Sequence, residues 1–130
     1  MTTVTVRDET VAGGVFNEWA LHFSDARVTV FDILRSRVYV EVEDFNKATD
    51  VTFRGLVQPL DTEVTPSGFR MKKRRPLDPA AQLEKAVEAF DLGRVLILVG
   101  DHQVSRLDEA VDLFPSATVS FVRLLPLVGG

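Results

Sequence analysis

Gly129 and Gly130 close the chain behind Leu125-Pro126-Leu127-Val128, and this pair is where the sequence invites chemistry. Neither glycine carries a side chain, so a carboxylate on Gly130 is unhindered, and a reference pKa of about 3.5 leaves it ionised at neutral pH. Glycine also tolerates close backbone approach and φ values closed to other residues, as a tail threading a narrow channel requires. Pro126 cannot donate to a sheet ladder and biases Leu125 towards an extended backbone, which stiffens the approach to the pair. An exposed apolar run of this kind calls for a partner to cover it.

Other chemistry-bearing groups lack a workable spacing. Asp101, His102 and Ser105 are the residue types of a hydrolase triad, but within five positions of a hairpin they do not reach triad geometry. His22 and His102 are the only histidines and have no metal-ligand spacing. With no cysteine there is no disulfide, thiolate nucleophile or thiolate-held metal. Gly13-Gly14 lacks the Lys and Ser/Thr of a phosphate-binding loop and reads as a turn. Trp19 and Phe23 belong to a core rather than to a stacking platform for bases, and Glu84 and Glu88 read as a solvated helix face. The run Lys72-Lys73-Arg74-Arg75 is either a solvated loop or a docking patch for an acidic partner surface or nucleic acid. The sequence thus offers no catalytic residue and no metal site.

The net charge of −4 argues against general nucleic-acid affinity, which rests on neutralising phosphates. No apolar run approaches bilayer-spanning length, and Met1-Thr2-Thr3 lacks the basic and apolar regions of a signal peptide, so the expectation is a cytoplasmic protein without membrane contact. One hundred and thirty residues suit a single domain able to bury its own core.

The tail needs a holder. Thr118 to Val122 is a β-branched, apolar run of strand composition that leads into it with no linker composition between. Upstream, Val95-Leu96-Ile97-Leu98-Val99 reads as a strand buried on both faces. Gly100-Asp101 turns, His102-Gln103-Val104 starts a short return, Leu107 to Phe114 is irregular or briefly helical, and Pro115-Ser116 turns. At the other end of the chain, Thr2 to Arg7 puts Val4 and Val6 on one strand face. Phe16 to Phe23 puts Trp19, Leu21 and Phe23 on one face, with Glu18 and His22 opposite. Around Gly13-Gly14 these two runs form an antiparallel hairpin.

Thr29 and Asp32 then have capping-box spacing, and Ile33, Leu34, Val38, Val42 and Phe45 recur at helical period. Arg37 and Glu41 sit four apart on that helix, available as an ion pair worth a few tenths of a kcal/mol. Lys47 to Leu77 is broken by Pro59, Pro66, Gly68 and Pro76, with a short strand at Phe53–Val57. Asp78-Pro79 opens a second helix whose buried stripe is Leu83, Val87 and Phe90 and whose C-terminal cap is Gly93. Hairpin, helix and further strands ending in a core strand make an α+β pattern, one mixed sheet with helices on one face.

On three stretches the chain resembles the β-grasp family of ubiquitin and of the sulfur carriers MoaD and ThiS. These are the hairpin followed by the Thr29–Phe45 helix, the run RVLILVGDHQVSRLDEAVDLFPSATVSFV, and the tail PLVGG. The resemblance implies one ubiquitin-like β-grasp domain over residues 1–130, with an insertion at about 47–77 between the first helix and the second half. It also implies that the protein is a substrate and not an enzyme. A separate adenylating enzyme of the ubiquitin-activating type would use Mg-ATP, no cofactor being bound by this chain itself. Gly130 would then be the acyl donor, Gly129 the clearance residue, and Leu125, Pro126, Leu127 and Val128 the segment docked on that enzyme. Transfer to a thiol and then to a lysine of an acceptor protein makes a protein modifier. Capture by sulfur makes a C-terminal thiocarboxylate and a sulfur carrier with a sulfur-transfer partner. The extra residues at 47–77 suit a modifier better than a compact cofactor-synthesis subunit. The competing class is a non-conjugated β-grasp adaptor or a self-assembling structural protein.

Overall fold

The computed structural model describes residues 2–113 and 117–124. Among these the fold is α+β and strand-rich, with two helices and a mixed five-stranded sheet. The chain divides into two compact units, one made of residues up to Ile33 and from Ala89 onward, the other of Leu34–Glu88.

In the first unit the alternating N-terminal runs form β1 (Thr2–Thr10) and β2 (Val15–Phe23). They pair antiparallel, with Val4 opposite Leu21 and Val6 opposite Trp19. The turn closes as Gly13 donates to the Thr10 carbonyl and Thr10 to the Gly14 carbonyl, each at 2.9 Å. A short strand, β3 (Arg27–Thr29), leads into helix α1 (Val30–Lys47). Its capping box is reciprocal. The Thr29 amide donates to Asp32 Oδ2 at 3.0 Å, and the Asp32 amide to Thr29 Oγ1 at 3.1 Å. The amides of Val30 and Phe31 donate to the carbonyls of Glu109 and Leu107, so a distant loop satisfies the rest of that helix end.

The second unit begins inside α1. Leu34, Val38, Val42 and Phe45 are buried, as the helical period requires. Next come β4 (Thr52–Phe53), β5 (Thr62–Thr65) and β6 (Gly68–Met71), which form an antiparallel sheet of order β4-β6-β5. The strand expected over Phe53–Val57 therefore ends at Phe53. The Leu56 amide goes to Glu41 Oε1 at 3.0 Å instead of to a ladder. Gly55 makes this turn possible, because a Cβ there would sit 2.0 Å from the Phe53 ring.

Helix α2 (Pro79–Asp91) starts as expected, with the Ala80 amide on Asp78 Oδ1 at 3.2 Å. It ends in a Schellman motif: Gly93, at φ 71°, donates to Phe90, and Arg94 donates to Ala89. Its buried stripe is Gln82 and Ala86, while Leu83, Val87 and Phe90 are only half-buried. Gln82 tolerates burial because its Nε2 donates to the Val57 carbonyl at 3.1 Å.

The first unit resumes with β7 (Val95–Val99) and β8 (His102–Val104). Val95 and Ile97 are buried, but Leu96 and Leu98 on the other face are half-buried, so this strand is not sealed on both sides. The stretch expected to be irregular contains β9 (Ala110–Asp112), which pairs with β3. Finally β10 (Thr118–Arg123) takes the middle of the order β2-β1-β10-β7-β8, parallel to β1 and antiparallel to β7. The turn expected at Pro115-Ser116 lies outside the described residues.

The Arg37–Glu41 pair forms at 3.3 Å as its spacing allows, and with Arg37 only 1% exposed it is a buried pair. Removing one partner of a buried pair costs about 3 kcal/mol. Glu41→Ala should lower stability by about that amount in urea unfolding, since it also strips the Leu56 amide of its acceptor. Glu43→Ala, which breaks an exposed pair with Lys47, should leave the unfolding midpoint in place.

Candidate functional site

The described part of the site is the root of the tail. Alternation along β1 sets Val4, Val6 and Asp8 on one face, so a carboxylate follows two buried valines, and Asp8 is 0% exposed. Register places Asp8 beside Asn17 on β2 and Phe121 on β10. Two residues past Phe121, on the same face, Arg123 Nη2 donates to Asp8 Oδ2 at 3.2 Å. Asn17 Nδ2 donates to the same oxygen at 3.3 Å.

The register also shifts between Asp8 and Glu9, which leaves Phe16 as the extra residue of a β-bulge. Its ring is 47% exposed and carries the Arg123 guanidinium 5.1 Å from its centroid. One residue on, the Leu124 amide donates to the Arg94 carbonyl at 3.0 Å. The chain therefore leaves the sheet from a point fixed by a ladder on each side, a buried ion pair and a ring contact. Gly129, Gly130 and the docking segment Leu125, Pro126, Leu127 and Val128 lie outside the described residues.

No protein-family model, curated protein or solved structure matches the chain. The remaining residues singled out in the sequence have definite places. Lys72 and Lys73 are exposed. Arg74 instead donates to the Asp50 and Phe45 carbonyls and lies over the Phe45 ring, and Arg75 donates to the Leu60 carbonyl. Half of the basic run is thus committed to its own unit.

Asp101, His102 and Ser105 do not converge. His102 Nε2 bonds Glu109 Oε2 at 2.6 Å, and the Ser105 amide donates to Glu109 Oε1. The His102 hydrogen bond holds the Glu109 carboxyl below its ordinary range, with smaller help from the Ser105 amide. His22 Nδ1 shares a hydrogen bond with Thr3 Oγ1. Among the described residues no group of three or more acidic, His or Cys side chains could hold a metal, and no helix is long and apolar enough to cross a membrane.

Asp8, Asn17, Phe16 and Arg123 escaped the sequence reading, although half of the signal was present. The alternation that puts Trp19, Leu21 and Phe23 inward also puts Asn17 inward, and Val4-x-Val6-x-Asp8 does the same for Asp8. Arg123→Ala would strip the cation from a buried carboxylate, with an expected loss of about 3 kcal/mol in urea unfolding. The double variant Asp8→Asn with Arg123→Met should recover most of that loss, because no buried carboxylate is left without its cation.

Proposed function

We propose that this chain is a ubiquitin-like protein modifier, a β-grasp body that presents the Gly130 carboxylate to a separate adenylating enzyme. The observation that carries the reading is the seat of β10. The strand is flanked by β1 and β7 and pinned through Arg123 to Asp8, and it runs directly into the segment that ends Pro126-Leu127-Val128-Gly129-Gly130. The β-grasp assignment is supported by the hairpin-then-helix order and by the last strand lying parallel beside the first.

In the proposed reaction a Gly130 carboxylate oxygen attacks the α-phosphorus of Mg-ATP, releasing pyrophosphate and leaving an acyl adenylate. An enzyme thiol attacks the acyl carbon, the C–O bond to AMP breaks, and a thioester results. The neutral amine of an acceptor lysine then displaces the thiol to give an isopeptide bond. Every catalytic group belongs to the partner enzymes. This chain contributes an unhindered carboxylate on Gly130, clearance at Gly129 and docking through Leu125, Pro126, Leu127 and Val128.

The test is the intact mass of the full chain, tagged at its N-terminus and recovered from cells of its natural host, beside a variant lacking Gly129 and Gly130. A modifier gives heavier lysine-linked adducts that vanish with the deletion. A species heavier by the difference between sulfur and oxygen identifies a sulfur carrier instead. Identical patterns from the two forms would leave a non-conjugated adaptor or structural protein. If copies of the chain are linked to one another, branched peptides should map to Lys72 or Lys73. Lys47 is engaged with Glu43, and Lys85 with the Gln58 carbonyl.

A further inference from the structure

The five-stranded sheet ends on β2, and among the described residues the only ladder of that strand is with β1. Which backbone groups face its open side follows from the register. The Thr5 amide donates to the Ala117 carbonyl at 3.2 Å, so Thr5 turns its polar groups towards β10. Its partner on β2 is Ala20, which must then turn its own amide and carbonyl away from β1. The two-residue period does the same for Glu18, opposite Arg7, and for His22, opposite Thr3. Among the described residues no other backbone bond occupies these three.

Their side chains are exposed as well. The edge lacks the usual guards against pairing, since Val15–Phe23 contains no lysine, arginine or proline. The bulge at Phe16 leaves Asn17–Phe23 as a regular run with Ala20 at its midpoint.

We infer that two copies of this chain pair antiparallel through β2, with a twofold axis at Ala20, joining their sheets into one. In that register Glu18 faces His22 of the second copy, and His22 faces the second copy's Glu18. Each has an atom to give. Glu18 Oε2 takes Arg7 Nε and His22 Nδ1 meets Thr3 Oγ1, which leaves Oε1 and Nε2 for each other. Small Ala20 meets its own copy on the axis, and Trp19 lies opposite Leu21 of the second copy. Other registers lose this match. An axis at Glu18 sets like charges face to face, and one at Trp19 runs the pairing into the bulge. An axis at Leu21 or His22 carries Glu18 past the end of the other strand. The run is thus complementary to itself about its own midpoint, which favours a second copy over a foreign strand.

An interface built on one strand pair belongs to the small, transient class, below about 1,200 Å², so the dimer forms as concentration rises. The strand leading to the tail, β10, is flanked by β1 and β7 and is not part of the joined edges. The inference is therefore independent of any reaction at Gly130.

The experiment is sedimentation equilibrium of the full chain over a concentration series into the millimolar range, with amide hydrogen exchange read by NMR. The expected result is a monomer–dimer equilibrium in which the Glu18, Ala20 and His22 amides exchange more slowly as dimer accumulates. The Trp19 and Leu21 amides, already in the ladder with β1, should not change. Ala20→Lys and Ala20→Glu each alter an exposed side chain and place like charges on the axis. Either alone should weaken dimerisation about tenfold, and its amide spectrum checks the fold. Mixed in equal amounts, the two variants should dimerise again as opposite charges meet. Deleting Gly129 and Gly130 should leave the equilibrium unchanged. A chain monomeric throughout, association lost with the two glycines, or exchange at the three amides indifferent to concentration would overturn the inference. So would self-association indifferent to both Ala20 variants. Failure of the mixture to dimerise would overturn the axis at Ala20.

Discussion

The parallel ladder between β1 and β10 is the constraint on which the first unit depends. It pairs Val6 with Val119 and Asp8 with Phe121, residues more than a hundred positions apart in the chain. Parallel neighbours cannot be joined by a tight turn, so a long crossover must connect them. The entropy of closing such a loop grows only slowly with its length, which lets a whole second unit reside inside it. The penalty is kinetic, since pairings of long sequence separation form late. The β1–β2 hairpin is local by comparison, and its β1 edge is the template that β10 must find.

Each unit holds an arginine–carboxylate pair with one fully buried member, Asp8 with the half-buried Arg123 in the first and Arg37 with Glu41 in the second. Their desolvation makes them poor sources of net stability. Their placement suits specification of register. A one-residue slip of β10 against β1 would turn Arg123 to the opposite face from Asp8 and bury the carboxylate without its cation. Likewise Glu41 joins α1 to the turn at Leu56 through a single carboxylate, and Gly55 leaves the room for it. In both cases a charge that must be matched makes the misfolded alternative expensive.

These devices explain where the sequence was readable. Local, periodic signals came through: the α1 stripe from Ile33 to Phe45, the Thr29–Asp32 box, the Asp78-Pro79 start and the Gly93 stop. Features that exist only after pairing did not. Thr52–Phe53, Thr62–Thr65 and Gly68–Met71 are too short to alternate convincingly alone, and β9 is a strand because β3 lies beside it. Gln82 is buried because Val57 supplies an acceptor, and Arg74 sits half-buried against a ring that no local pattern links to it. The same divide runs through the candidate site. The inward position of Asp8 follows from alternation, but its partner Arg123 lies 115 residues away and becomes legible only with the parallel register.

For the proposed transfer chemistry, a fixed root limits where a partner can act. Arg123 is held by Asp8 and the Phe16 ring, and Leu124 by the Arg94 carbonyl, so this end of β10 is fixed. Six residues of fully extended chain span at most about 20 Å. Because Arg123 pairs with Thr10, that radius is centred at the sheet end that also carries the β1–β2 turn. Val11, Val15 and Phe16 there are the exposed apolar side chains nearest in register to the exit. A partner that covers the apolar segment 125–128 would work within that radius, with those residues at its centre. The bulge that releases Phe16 from the ladder thus serves two ends, steadying Arg123 with one face of the ring and leaving the rest of it open to solvent.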